Sequence, residues 1–250
     1  MMGGYPTLER SLDVARALIE GGSDILEVGV PFSDPIADGP VIQLAAKKAL
    51  EAGASLGRIL GVCREIRKEH SLPLVLMGYL NPIYQMGYER FFREANDSGL
   101  DGVIIPDLSL EESTDLRAVA QRHGIDVILL AAPSTSPARL REIASRTSGF
   151  LYLVSVYGVT GPRHTIPNYS LRYIKKAVRD VSGKAPVSVG FGVSKPAQVK
   201  KIVKAGANGV VVGSSLINEL IKSPTCSRKV LNLLQTRTEQ LKKATATSSS

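Results

Sequence analysis

A carboxylate inside a short run of apolar, β-branched residues is an unusual place for charge. Glu27 stands in such a run at 24–30, DILEVGV. Side chains alternate along a strand, so Leu26, Val28 and Val30 share one face, and Ile25, Glu27 and Gly29 share the other. If the first face packs against helices, Glu27 points into the interior of the sheet. A desolvated carboxylate holds its proton to higher pH, and a group poised that way can act as a general acid and base. A structural glutamate, paired inside or solvated at a rim, would occupy the same position, and the local residues weigh the two readings evenly. Downstream, Asp34 and Asp38 lie in Asp-Pro and Asp-Gly contexts, where turn chemistry alone accounts for both.

Glycines supply the second set of candidates. Gly190-Phe191-Gly192 and Gly213-Ser214-Ser215 each follow a run of valines. Glycine lets backbone N–H groups approach a ligand, and a helix starting at Ser214 or Ser215 would aim its positive end at an anion. Two such loops at the ends of consecutive strands point to phosphate. A third loop, SVYGVTG at 155–161, has the glycines for a segment that closes over a site.

These residues need a scaffold that brings strand ends together. A helix-like stretch ending in Gly, then a β-branched run, then a Gly or Pro loop recurs as GGSDILEVGVP at 21–31, GLDGVIIPD at 99–107 and GANGVVVGS at 206–214. The periodicity predicts strands over 24–28, 73–79, 102–106, 126–131, 150–155, 187–190 and 209–212, and helices over 7–20, 55–70, 88–98, 110–123, 136–146, 170–181 and 195–205. Strict alternation without a linker predicts one parallel α/β domain over 1–243, a (β/α)8 TIM barrel whose active site lies at the carboxyl ends of the strands. An eighth strand has to come before Thr7, where only four residues precede Tyr5, so the first strand reads as cut short. The low-apolar stretch 244–250, ATATSSS, is expected to be a disordered tail.

Composition excludes several classes. The 250 residues are 44% hydrophobic and 22% charged, with a net charge of +8. No apolar run is long enough for a membrane span, and MMGGYPTLER lacks the regions of a signal peptide, so the cytoplasm is the expected location. The cations lie on segments that read as amphipathic helices and lack interleaved aromatics, which argues against nucleic acid. Cys63 and Cys226 read as free thiols. His70, His123 and His164 are scattered, and no metal site is expected.

The run EVGVPFSDPIADGP at 27–40 resembles the long motif of the tryptophan synthase α subunit family. The likeness continues through MGYLNP at 77–82, PDLSLEES at 106–113, YLVSVYGVTG at 152–161, GFGV at 190–193 and Gly213-Ser214. The resemblance implies a lyase that cleaves indole-3-glycerol phosphate to indole and glyceraldehyde 3-phosphate without a cofactor of its own. It also implies assembly with a β subunit as α2β2. Position by position it makes Glu27 the acid-base residue and Asp38 the carboxylate engaging the indole N–H. Tyr152 and Thr160 would line the site, and Gly161, Gly190, Gly192, Gly213 and Ser214 would surround the phosphate. Tyr79, with Asn81 and Pro35, falls near the pocket or the subunit interface. Members of the family also have a short helix and a complete strand ahead of the position matched by Gly4, and here both are expected to be missing or reduced. The rivals are a sugar-phosphate isomerase or epimerase on the same barrel, and a noncatalytic subunit that only activates a β partner.

Overall fold

The structure is a computed structural model that describes residues 1–154, 166–190, 192–223 and 226–246. All the strand pairings are parallel. In the first sheet β1 (Leu26–Gly29) pairs with β2 (Leu74–Met77), β2 with β3 (Gly102–Ile104), and β3 with β4 (Asp126–Ile128). The second sheet runs β5 (Leu130–Ala131), β6 (Leu151–Val154), β7 (Val187–Gly190) and β8 (Gly209–Val210). β4 and β5 are two pieces of the single strand expected over 126–131, interrupted at Leu129. The Leu129 carbonyl accepts from Tyr152 N–H at 3.0 Å, so the chain passes from one sheet to the next without leaving the ring. Seven expected strands are thus present in chain order around a barrel.

The eighth is reduced to a bridge. Met2 pairs in parallel with Gly29; Gly29 N–H donates to the Met1 carbonyl, and Gly3 N–H to the Gly29 carbonyl, each at 2.8 Å. These residues cover only the carboxyl end of β1.

Helices alternate with the strands. They are α1 (Leu8–Glu20), α2 (Pro40–Glu51), α3 (Leu56–Glu69), α4 (Leu80–Met86), α5 (Tyr88–Asp97), α6 (Ser113–Arg122), α7 (Pro137–Arg146), α8 (Asn168–Asp180), α9 (Pro196–Lys204), α10 (Ser214–Lys222) and α11 (Arg228–Lys243). Local chemistry sets their starts: Thr7, Ser55 and Ser136 accept the third backbone N–H of α1, α3 and α7, satisfying donors that have no intrahelical partner. α2, α4 and α11 are additions to the expected set, and the 110–123 helix begins three residues later than expected, with 109–112 forming a turn held by Ser109 Oγ and Glu112. At the other end, Ala244 is buried and caps α11, and residues 247–250 fall outside the described ones.

The interior has two parts. A large cluster between strands and helices includes Leu26, Val28 and Val30, the face expected to meet the helices. A smaller one fills the lumen with Val75, Ile104, Ile128, Phe150 and Tyr152. Glu27 is in register with Val75, and neighbours at one level of a parallel sheet project to the same side. The pleat therefore turns Glu27 into the barrel.

Candidate active site

Glu27, Asp38, Tyr79, Tyr152, Gly192, Gly213 and Ser214 line one cavity of about 100 Å³ at the carboxyl ends of the strands. Gly190 lies one step beneath it on β7. Thr160 and Gly161, with the rest of the 155–161 loop, lie outside the described residues.

β1 carries Glu27 into the lumen, where burial pushes its carboxyl up to about 7 against the opposing field of the Met1 ammonium. The ammonium itself donates to the Glu27 carbonyl at 2.6 Å. A carboxyl titrating near neutrality can both give and take a proton at physiological pH.

Asp38 reaches the same cavity from the loop between β1 and α2. Turn chemistry is present as well: Asp38 N–H donates to the Pro35 carbonyl at 3.1 Å, and Ile36 N–H to the Asp34 carbonyl at 3.0 Å. The two aspartates differ in what their side chains do. Asp34 is exposed and accepts the hydroxyl of Ser33 at 2.5 Å. Asp38 Oδ2 accepts the Tyr79 hydroxyl at 3.0 Å, and that hydroxyl in turn accepts Ala37 N–H at 3.0 Å. Burial raises the Asp38 carboxyl, while the Tyr79 hydrogen bond holds it down. Tyr79 lies just beyond β2, at the start of α4, and is buried; Phe32 stacks on its ring with centroids 5.1 Å apart. Its phenol is raised by burial and by the Asp38 charge, so it remains a donor.

Tyr152 projects from β6 and is buried, its phenol raised well above the ordinary value by burial and by the charges of Glu27 and Asp38. Gly190 makes room for it. A Cβ built there would collide with the Tyr152 hydroxyl. Sterics thus account for Gly190, where the sequence suggests a ligand contact.

Gly213 behaves differently. A Cβ added to it meets nothing within 4 Å, so packing does not require glycine there. It stands immediately before α10, whose start carries no side-chain cap. The first turn of α10 leaves backbone donors without intrahelical acceptors, beside Gly192, whose φ of +85° is the left-handed conformation that glycine adopts freely. The arrangement suits an anion.

Several lining residues escape the sequence reading. Ile42 and Ile217 come from α2 and α10, Pro106 and Val193 from loops, and Met77 from the end of β2. MGYLNP did mark Met77, but a helix-borne Ile42 carries no local signal of facing a site. No three metal-ligating side chains gather among the described residues. No helix there is long and apolar enough to cross a membrane.

A parallel (β/α)8 barrel with two acidic groups and a helix start around one lumenal cavity defines a TIM-barrel enzyme. The family model for the tryptophan synthase α chain matches residues 1–246. The tryptophan synthase α chain of Carboxydothermus hydrogenoformans is 45% identical over 245 residues, covering 96% of this chain and 90% of that protein. That of Geobacillus kaustophilus is 46% identical, covering 88% and 81%. A solved tryptophan synthase complex from Pyrococcus furiosus superimposes with a TM-score of 0.89 at 38% identity, covering 97% of this chain and 96% of that one. A further Pyrococcus structure, of the α2β2 complex, superimposes at 0.88. The chain belongs to the tryptophan synthase α chain family.

Proposed function

We propose that this chain cleaves indole-3-glycerol phosphate to indole and glyceraldehyde 3-phosphate, with Glu27 and Asp38 as the reacting carboxylates. The observation that carries the assignment is the pairing of Glu27, titrating near 7, with an Asp38 oriented by Tyr79 on a single cavity.

Breaking a carbon–carbon bond in the retro-aldol sense needs an electron sink, and the indole ring supplies it. Protonation at C3 turns the ring into an indolenine cation, and Asp38 stabilises the charge through the N1–H. Ionised Glu27 takes the proton of the glycerol hydroxyl attached to the carbon that leaves. The O–H electrons become the aldehyde C=O, the C–C pair returns to the ring, and indole is released. Protonated Glu27 is also suited to deliver the C3 proton, so one group with a pKa near neutrality serves both transfers. The Gly213–Ser214 helix start and Gly192 hold the phosphate and Tyr152 packs against the substrate, with Thr160 and Gly161, outside the described residues, as the remaining substrate-binding candidates.

The barrel acts as one catalytic unit, in the cytoplasm. Product passes to a β chain in an α2β2 assembly, as in the Pyrococcus complexes. Ile36, 77% exposed, and Tyr84, 65% exposed, stand on the loop and helix that flank Tyr79, the apolar surface available for that partner.

Incubating the purified chain with indole-3-glycerol phosphate, with and without a β chain, tests the reading. Indole from the chain alone supports it. A chain that only activates its partner yields none, and an isomerase consumes sugar phosphate without forming indole.

A further inference from the structure

Charge is divided unevenly around the barrel. Residues 1–154, which include the whole first sheet, hold 15 lysines and arginines against 20 aspartates and glutamates, whereas residues 166–246 hold 15 against only 3. Many cations of the first part are neutralised where they stand, as Arg16 is by Glu69, Arg67 by Asp101, Arg122 by Glu89 and Arg139 by Glu111. In the second part α8 and α9 present Lys175, Lys176, Lys195, Lys200, Lys201 and Lys204, all exposed and none in an ion pair among the described residues. From 166 to 204 the one carboxylate is Asp180, and it stands beside Arg179. The two helices come before and after β7 in the chain and pack on each other, so their charges add over one face.

The active-site cavity is divided the same way. Glu27 and Asp38 come from β1 and the loop after it, and Tyr79 from the start of α4, whereas Gly192 and the Gly213–Ser214 turn follow β7 and β8. Lys195 opens α9 three residues after Gly192. The end of the cavity that suits an anion thus belongs to the basic side of the barrel, and the two carboxylates to the other.

We propose that the unpaired lysines of α8 and α9 form an electrostatic funnel that draws the dianionic end of the substrate to Gly192 and Gly213 and sets which way round it enters, an inference that rests on the phosphate-ester substrate assigned above. Solubility alone does not call for this placement, since a surface that needs only hydration can interleave both signs, as α3 and α5 do. Like charges gathered on one low-dielectric wall sum to a potential that concentrates a counter-ion and speeds its arrival. That potential reaches about 30 Å at 0.01 M salt and only about 3 Å at 1 M. It also treats the two products differently: glyceraldehyde 3-phosphate is an anion and is retained, while indole is neutral and leaves unhindered.

The test is binding of glycerol 3-phosphate to the whole chain, measured by calorimetry at about 0.02 M and about 0.5 M ionic strength. One variant combines Lys175→Gln, Lys176→Gln, Lys200→Gln and Lys201→Gln; Lys195 is left in place, so that no removed side chain adjoins Gly192. A second variant, with Lys68→Gln, Arg90→Gln, Arg93→Gln and Arg122→Gln, makes the same change in net charge on α3, α5 and α6 across the barrel. The first variant should bind at least about threefold more weakly than the parent at low salt and match it at high salt. The second should stay close to the parent at both, and the affinity of all three for neutral indole should not depend on salt. Parent-like binding by the first variant at low salt, an equal loss in both variants, a deficit that persists at high salt, or no binding of glycerol 3-phosphate by the parent would each overturn the proposal. The readout does not involve indole release, so a failed lyase assay and a failed funnel are told apart.

Discussion

The Tyr79 hydroxyl donates to Asp38 Oδ2 at 3.0 Å and accepts Ala37 N–H at the same distance. One phenol, fixed between β2 and α4, thereby ties down both the loop that carries Asp38 and the direction in which its carboxylate points. Tyr79→Phe keeps the ring against Phe32 and removes only this link. A hydrogen bond to a charged group is worth roughly 1.5–3 kcal/mol, so kcat for indole release should fall about ten- to a hundredfold. The fold should be retained, with unchanged circular dichroism. An unchanged kcat would mean that substrate alone orients Asp38.

Glu27 makes stability depend on pH in a definite sense. In the folded chain its carboxyl holds a proton up to about 7, against an ordinary 4.5. The stability tied to that proton is fully present below the unfolded value and is lost as pH rises through the folded one. Between pH 5 and 8 the protein should therefore lose on the order of 1–3 kcal/mol through this group. Glu27→Gln should remove that part of the slope and be the more stable form at pH 8. Denaturant unfolding at the two pH values measures it; equal slopes for both proteins would contradict the burial argument.

Gly190 and Tyr152 form a packing pair, since a Cβ at 190 meets the phenol hydroxyl. Gly190→Ala should destabilise by roughly 1–3 kcal/mol, the usual range for overpacking. Combined with Tyr152→Phe it should cost less than the sum of the two changes, because the closest colliding atom is gone, while the ring carbons still crowd the added methyl and keep part of the cost. Additive costs in the thermal unfolding of the four proteins would place the collision elsewhere.

At Gly213 space is open and φ is −122°, so a side chain fits. Gly213→Asp should leave stability within roughly 0.5 kcal/mol of the parent. It sets a like charge against the substrate phosphate, which costs several kcal/mol, and KM should rise by about a hundredfold or more. An unchanged KM would move the phosphate away from the start of α10.

Much of this is legible in the residues. The β-branched runs closed by Gly or Pro mark seven strands because strands covered by helices must be apolar, and the pleat alone sends Glu27 to the opposite face from Leu26 and Val28. The start of α10 is legible from Gly213-Ser214-Ser215. The helix α2 is missed although VIQLAAKKALE has helical spacing, because the Asp-Pro and Asp-Gly turns ahead of it draw the whole segment into a loop reading. The interruption at Leu129 has no local mark, since it arises where one strand serves two sheets. Asp34 and Asp38 look alike in sequence, and the partner that separates them, Tyr79, lies more than forty residues away. Gly190 shows the opposite limit: a glycine in a ligand-binding pattern that sterics demand for Tyr152.

The central claim rests on Glu27 and Asp38, and indole release from indole-3-glycerol phosphate by Glu27→Gln and Asp38→Asn tests it most directly. Both variants should fold, melt cooperatively and still bind inorganic phosphate, and both should lose indole release by at least about a thousandfold, as expected when a reacting acid-base group is removed. Near-normal indole release from either folded variant would contradict the assignment.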